Sequence, residues 1–179
     1  MQNIYITGTG FWIPEDGLTT NDEVVNSYNT YVDNYNSENA EAISDGSLEA
    51  LAPSSSEFIE KASGIKTRYL YDKHNCLDPN RMKPKTRPEL PDNTSILAEM
   101  GIESAKKAIA NAGITADDVD GIILGTSHSA RNYPAIAIEI QEALGINGYA
   151  YDMLVGCSST TFAISNAYSD IASGLASTI

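Results

Sequence analysis

The sequence has no long apolar run. Nothing in it approaches the roughly eighteen consecutive apolar residues that a membrane-spanning helix needs, so a spanning segment is excluded. Positive charge is also scarce, with 11 Lys and Arg against 24 Asp and Glu and a formal net charge of -13. Such a chain repels nucleic acid and anionic membrane, and both are disfavoured as partners; solubility is the plain reading of the charge. Cysteine is limited to Cys76 and Cys157, and the start Met1-Gln2-Asn3-Ile4-Tyr5-Ile6 has no basic stretch before an apolar core. Few cysteines without an export signal point to a reduced, cytoplasmic setting rather than a disulfide framework. A third glycine is missing as well. Gly8-Thr9-Gly10 follows a strand-like stretch at residues 4–7, but Ile13 and Pro14 stand where a dinucleotide fingerprint needs its last glycine, which excludes that motif.

What is there suffices for one ordinary core, since 42% of the 179 residues are hydrophobic. Asn21-Asp22-Glu23 reads as a helix start, followed by Val24, Val25, Tyr28, Tyr31, Val32 and Tyr35 at helical spacing. Those tyrosines fit a packed surface helix, and a ligand groove is the other reading. Ser54-Ser55-Ser56-Glu57 caps a short helix that ends near Gly64, and residues 66–71 look like a strand. Residues 72–92 carry four prolines and read as a long loop, a length that usually marks a lid or a connector. Asn93 or Thr94 then caps a helix that Gly113 closes, with Leu97, Gly101, Ala105, Ala108 and Ala112 on one face.

From there strands and helices alternate. Residues 121–125 form a continuous apolar strand of the kind buried on both faces, and Pro134 opens a helix that runs to Gly145. Residues 149–155 are a strand, and a last helix covers about residues 158–173. The alternation implies an α/β fold with a largely parallel sheet. Phe162, Ile164, Ala167, Tyr168 and Ile171 leave that last helix only a thin polar stripe, so it should be buried on several sides. Nothing else in the chain supplies the second cover, and residues 175–179 break off where another strand should start. The chain therefore reads as one module, residues 1–179, that is incomplete.

One place carries chemistry. Gly156-Cys157-Ser158-Ser159-Thr160 puts a thiol between a strand and the start of a helix, where backbone N–H groups and the positive dipole end favour thiolate. Gly156 permits a tight turn that lifts the side chain out, as in a nucleophile elbow. A free cysteine is also a common small core residue, and placement alone leaves both readings open.

Thr7-Gly8-Thr9-Gly10 with Pro14 and Asn21, then residues 63–68, Ala112-Gly113-Ile114, Tyr133-Pro134, Leu144-Gly145-Ile146 and residues 152–158 occur in order. Together they resemble the amino-terminal half of ketoacyl-ACP synthase III, in the thiolase-like superfamily. The polar segment at residues 28–53 and the proline-rich loop at 72–92 exceed the housekeeping form and look more like the β-ketodecanoyl-ACP synthases, the subgroup that extends medium-chain primers.

The resemblance implies a thiolase-like αβαβα layered fold built from two related halves, of which this is the amino-terminal one, and a homodimer. It implies decarboxylative condensation without a cofactor: Cys157 takes an acyl group from acyl-CoA or acyl-ACP, and malonyl-ACP supplies the attacking carbon. Acyl carrier protein is the implied partner. Tyr133 matches an aromatic that closes the partner's acyl pocket, and Ser54 and Ser127 match positions near the acyl-pantetheine path. Phe58 stands in place of a tryptophan that stacks on the CoA adenine, and Ala62 in place of an arginine near the CoA phosphates. The family's decarboxylating His and Asn belong to the other half, and neither His74 nor His128 matches that histidine. The competing readings are a noncatalytic acyl-binding subunit of the same fold, in which the nucleophile is typically replaced, another thiolase-like acyltransferase, and an unrelated binding module.

Overall fold

The computed structural model describes residues 3–85, 94–129 and 131–179. The chain divides into two compact units, residues 13–86 and residues 1–12 with 87–179.

In residues 13–86, strand β1 (Leu18–Thr20) pairs antiparallel with β2 (Thr67–Tyr69), Leu18 opposite Tyr69. Helix α1 (Asn21–Glu38) follows β1 directly. Its cap is Thr20, whose hydroxyl takes the Glu23 N–H while the Glu23 carboxylate takes the Thr20 N–H at 2.8 Å, a reciprocal capping box. Val25 and Val32, seven residues apart and so on one helix face, are buried. Helix α2 (Ala40–Ser44) and helix α3 (Ser56–Ser63) lie farther along, α3 capped by Ser55 and closed by Gly64 in the left-handed conformation. The expected strand over 66–71 is thus shorter, and β1 is a strand the sequence reading did not contain. The expected loop over 72–92 holds a helical turn, α4 (Lys73–Cys76), organised by the Asp72 carboxylate, which takes the Lys85 N–H at 2.8 Å and the Asn75 amide. The rest of that loop from residue 86, and the proposed cap Asn93, lie outside the described residues.

In the second unit, helix α5 (Ile96–Ala112) is capped by Ser95, one residue beyond the expected Thr94, and ends at Gly113. The expected strand at residues 4–7 is not formed among the described residues; Tyr5 and Ile6 are exposed. The reason lies a few residues on. A Cβ on Gly8 would come within 2.3 Å of the Ala108 carbonyl oxygen, and one on Gly10 within 2.2 Å of that of Ser104, so these glycines bring the segment against the α5 backbone. Thr9 N–H donates to Asn111 and the Lys107 ammonium to the Phe11 carbonyl, which fixes the contact.

Strand β3 (Gly121–Thr126) runs parallel to β4 (Tyr149–Leu154), Thr126 opposite Leu154. Helix α6 (Ile136–Leu144) joins them. The core is Ala98, Ile102, Ile136 and Ile140, with Leu97, Ile122, Leu124 and Leu144 packed on it. Of β3 only Gly121 is fully buried, so the expectation of a strand buried on both faces is corrected to a half-buried one. Helix α7 (Ser159–Ser173) follows β4 through one turn of 3-10 helix, Gly156–Ser158. Only Ser159 and Ala163 of α7 are buried, while Phe162, Ile164 and Tyr168 are about half exposed. The apolar sides of α7 for which the sequence offers no second cover are thus open among the described residues. Nor do residues 175–179 form the expected strand; Ser177 and Thr178 bond instead to Asp120 at the foot of β3.

Candidate active site

The two parallel strands end together, and the carboxyl ends of such strands are where open α/β sheets gather ligands. β4 delivers Val155, then Gly156 at φ 58°, a left-handed value that strains any side-chain-bearing residue. The chain doubles back there, and Cys157 stands exposed at the head of α7. Ser158, at the cap position, makes no side-chain cap bond. The hydrogen bonds of this turn engage the N–H groups of Val155 and Ser158 and leave that of Cys157 without an acceptor among the described residues. The thiol is therefore accessible beside its own unused amide at the positive end of a fifteen-residue helix, and that one amide is able to receive a developing oxyanion.

The other cysteine is a useful contrast. Cys76 is half-buried, and desolvation followed by the nearby Asp72 carboxylate pushes its thiol above the ordinary range. Both thiols are free.

Ser127 comes one residue after β3 and is exposed at the same sheet end as Cys157. Its neighbour His128 is turned into a local loop through its backbone, with Thr126 Oγ donating to the His128 carbonyl at 2.9 Å. Tyr133 is 87% exposed in the connection from β3 to α6. That connection is pinned. Arg131 Nε donates to the Pro134 carbonyl at 2.9 Å, and its guanidinium also pairs with Glu139, whose other oxygen takes the Ser95 N–H. Pro134 does not open α6, as its position had implied. The helix starts two residues later, behind Ala135, which cannot cap it; Asp152 on β4 does so from a distance, taking the N–H groups of Ile136 and Ala137 at 2.8 Å each. One strand therefore caps the helix after Tyr133 and, five residues on, delivers Cys157.

Ser54 and Phe58 belong to residues 13–86. Asn29 takes the Ser54 N–H at 2.9 Å and donates to its carbonyl at 3.0 Å, and Phe58 is 66% exposed on α3 with Ala62 exposed on the same helix. No group of His, Cys, Asp and Glu able to hold a metal occurs among the described residues.

Sequence reasoning missed Ser159. Only 2% of it is exposed, and its hydroxyl bonds the backbone of Val155 and Gly156, the two residues that lead into Cys157. Its position two residues after the cysteine was the only available signal.

The chain is 53% identical over 153 residues to the β-ketodecanoyl-[acyl-carrier-protein] synthase of Pseudomonas aeruginosa, covering 86% of this chain and 44% of that protein. It is a partial-length relative of the ketoacyl-ACP synthase III proteins. The synthase III of Rhizobium rhizogenes is 32% identical over 130 residues, 72% of this chain and 34% of its own. The chain thus spans less than half the length of these curated relatives. No family model matches it. Among solved structures, the 3-oxoacyl-ACP synthase III of Aquifex aeolicus superposes with a TM-score of 0.64 at 24% identity over 94% of this chain and 40% of its own. The cerulenin-bound OleA of Xanthomonas campestris gives 0.64 at 16% identity over 98% and 42%. The fold is the thiolase-like one expected from the sequence, over part of its length.

Proposed function

We propose that this chain is the nucleophile-bearing part of a 3-oxoacyl-ACP synthase that extends a medium-chain acyl primer by two carbons in fatty acid biosynthesis. The observation that carries this reading is Cys157, exposed on a left-handed glycine turn at a helix start, in a chain 53% identical to a protein named for that reaction.

The Cys157 thiolate attacks the carbonyl of an acyl-CoA or acyl-ACP; a C–S bond forms, the oxyanion rests on the Cys157 amide, and the pantetheine thiolate leaves and takes a proton. Malonyl-ACP then loses carbon dioxide. The resulting carbanion attacks the acyl-Cys157 carbonyl, a C–C bond forms and the Cys157 thiolate leaves, giving 3-oxoacyl-ACP. In this reading the protein works as a cytoplasmic homodimer. Tyr133 closes the partner's acyl pocket, while Ser127 and Ser54 flank the pantetheine path. Phe58 and Ala62 weaken the grip on the CoA nucleotide that a tryptophan and an arginine would give, which leaves primer binding to rest more on the acyl chain. Because the chain is strongly acidic, the basic surface that docks acidic carrier protein lies outside it.

The test is product formation by the natural-length protein from malonyl-ACP with acetyl-CoA and octanoyl-CoA in competition. The octanoyl-derived product should dominate by about tenfold or more, because the two primers share the CoA nucleotide and differ only in the acyl chain, each buried CH2 of which contributes about 0.8 kcal/mol. Cys157→Ala should form neither product. A dominant acetyl-derived product overturns the primer assignment, and condensation by Cys157→Ala overturns the reading.

A further inference from the structure

We propose that Ser159 is the positioning residue for Cys157: its hydroxyl staples the turn that carries the thiol to the end of β3. This deepens the reading of Cys157 as acyl acceptor and rests on it. Ser159 Oγ accepts the Val155 N–H at 2.8 Å and shares its single proton between the carbonyls of Thr126, at 2.8 Å, and Gly156, at 2.9 Å. Two of those groups lie within two residues of Cys157, and the third closes β3, 33 residues away in sequence. No other side chain among the described residues bonds the backbone of residues 155–158.

The direction of these bonds matters. A serine that only started α7 would sit one residue earlier and bond forward to the free amides of the first turn. Ser159 bonds backward, into the turn and across to the neighbouring strand. The sheet is shaped to receive it: a Cβ on Gly125 would stand 3.0 Å from the Ser159 carbonyl carbon and from Thr160 N, so glycine there lets the α7 backbone close on β3. Gly125 supplies the approach and Ser159 the lock. Together they fix the backbone on both sides of the thiol, and with it the line along which sulfur meets an acyl carbonyl, a geometry to which acyl transfer is steeply sensitive.

Wild type, Ser159→Ala and Ser159→Thr in the natural-length protein provide the test. Acyl transfer from octanoyl-CoA to Cys157 is followed by intact mass, beside alkylation of the same thiol by iodoacetamide. Ser159→Ala should slow acyl transfer about tenfold to a hundredfold, since misplacing a reacting group by an ångström can cost about that much. Alkylation, which needs only an accessible thiol, should change by less than about threefold, and Ser159→Thr, which keeps the hydroxyl, should restore transfer to within about threefold. Equal transfer by wild type and Ser159→Ala, a parallel loss of transfer and alkylation, or a Ser159→Thr chain as slow as Ser159→Ala overturns the proposal. If Ser159→Ala does not fold, Ser159→Thr at wild-type rate and slow hydrogen exchange at the Val155 amide of wild type support it, and exchange there as fast as in an open chain overturns it. A wild-type protein whose Cys157 is alkylated yet inert to octanoyl-CoA overturns the acyl-acceptor reading together with this one. A fast Ser159→Ala beside an active wild type overturns this one alone.

Discussion

In residues 13–86 the long helix α1 is stitched to the chain after it by amide side chains, whereas in residues 94–179 helices α5 and α6 meet through isoleucine and alanine. Asn29 reads both backbone groups of Ser54, and Asn36, two turns on, takes the Leu51 N–H and donates to the Leu51 carbonyl, each at 2.9 Å. These asparagines do for an irregular segment what a neighbouring strand would do for a regular one. The first unit buries Val25, Val32, Thr19, Asn21 and Ser27; the second has its cluster of Ala98, Ile102, Ile136 and Ile140. The comparison teaches a division of means. Hydrophobic burial joins helices α5 and α6, and directional polar bonds hold the polar segment expected at residues 28–53.

The largest effect should come from the apolar side. Ile136 is 0% exposed and Ile140 3%, so Ile136→Ala should cost about 2–5 kcal/mol in a denaturant titration. A cost below about 1 kcal/mol would mean that this cluster is not the core. Next is Asn36→Ala, which leaves the half-buried Leu51 backbone unpaired and should cost about 1–3 kcal/mol, with faster hydrogen exchange at Leu51. Unchanged exchange there would remove the polar-stitching half of the comparison.

The smallest is electrostatic. The Lys73 ammonium, followed by the Thr20 amide, holds the Glu23 carboxyl down at about 2, against an ordinary 4.5. A depressed carboxyl contributes stability that is present above its unfolded pKa and lost as pH falls through the folded one. The fall in stability between about pH 4.5 and 2 should therefore flatten in Glu23→Gln, which starts slightly below wild type at neutral pH and matches it near pH 2. An unaltered acid limb would show that the pair is idle in solution.

How far the sequence disclosed all this follows from how local each cause is. The ends of α3, α5, α6 and α7 were legible because a glycine closes each at once, Gly64, Gly113, Gly145 and Gly174, all left-handed. The Cys157 turn was legible for the same reason, through Gly156. Causes at a distance were not. The segment at residues 4–7 reads as a strand by composition, yet the glycines after it lay the chain on α5, a contact across about a hundred residues. The start of α6 depends on Asp152, sixteen residues downstream of the first amide it takes. Ser159 looked like one more small polar residue in Cys157-Ser158-Ser159-Thr160, and only the return of α7 onto β3 gives its hydroxyl three partners.

The central claim is that of the two thiols Cys157, exposed at a helix start, is the acyl acceptor, and Cys76, half-buried beside Asp72, is not. The measurement is peptide mapping by mass after brief exposure of the natural-length protein to octanoyl-CoA at neutral pH, before malonyl-ACP is added. The account predicts an octanoyl thioester on the peptide that contains Cys157, discharged when malonyl-ACP is supplied, and an unmodified Cys76. Acylation of Cys76 with Cys157 untouched would contradict it.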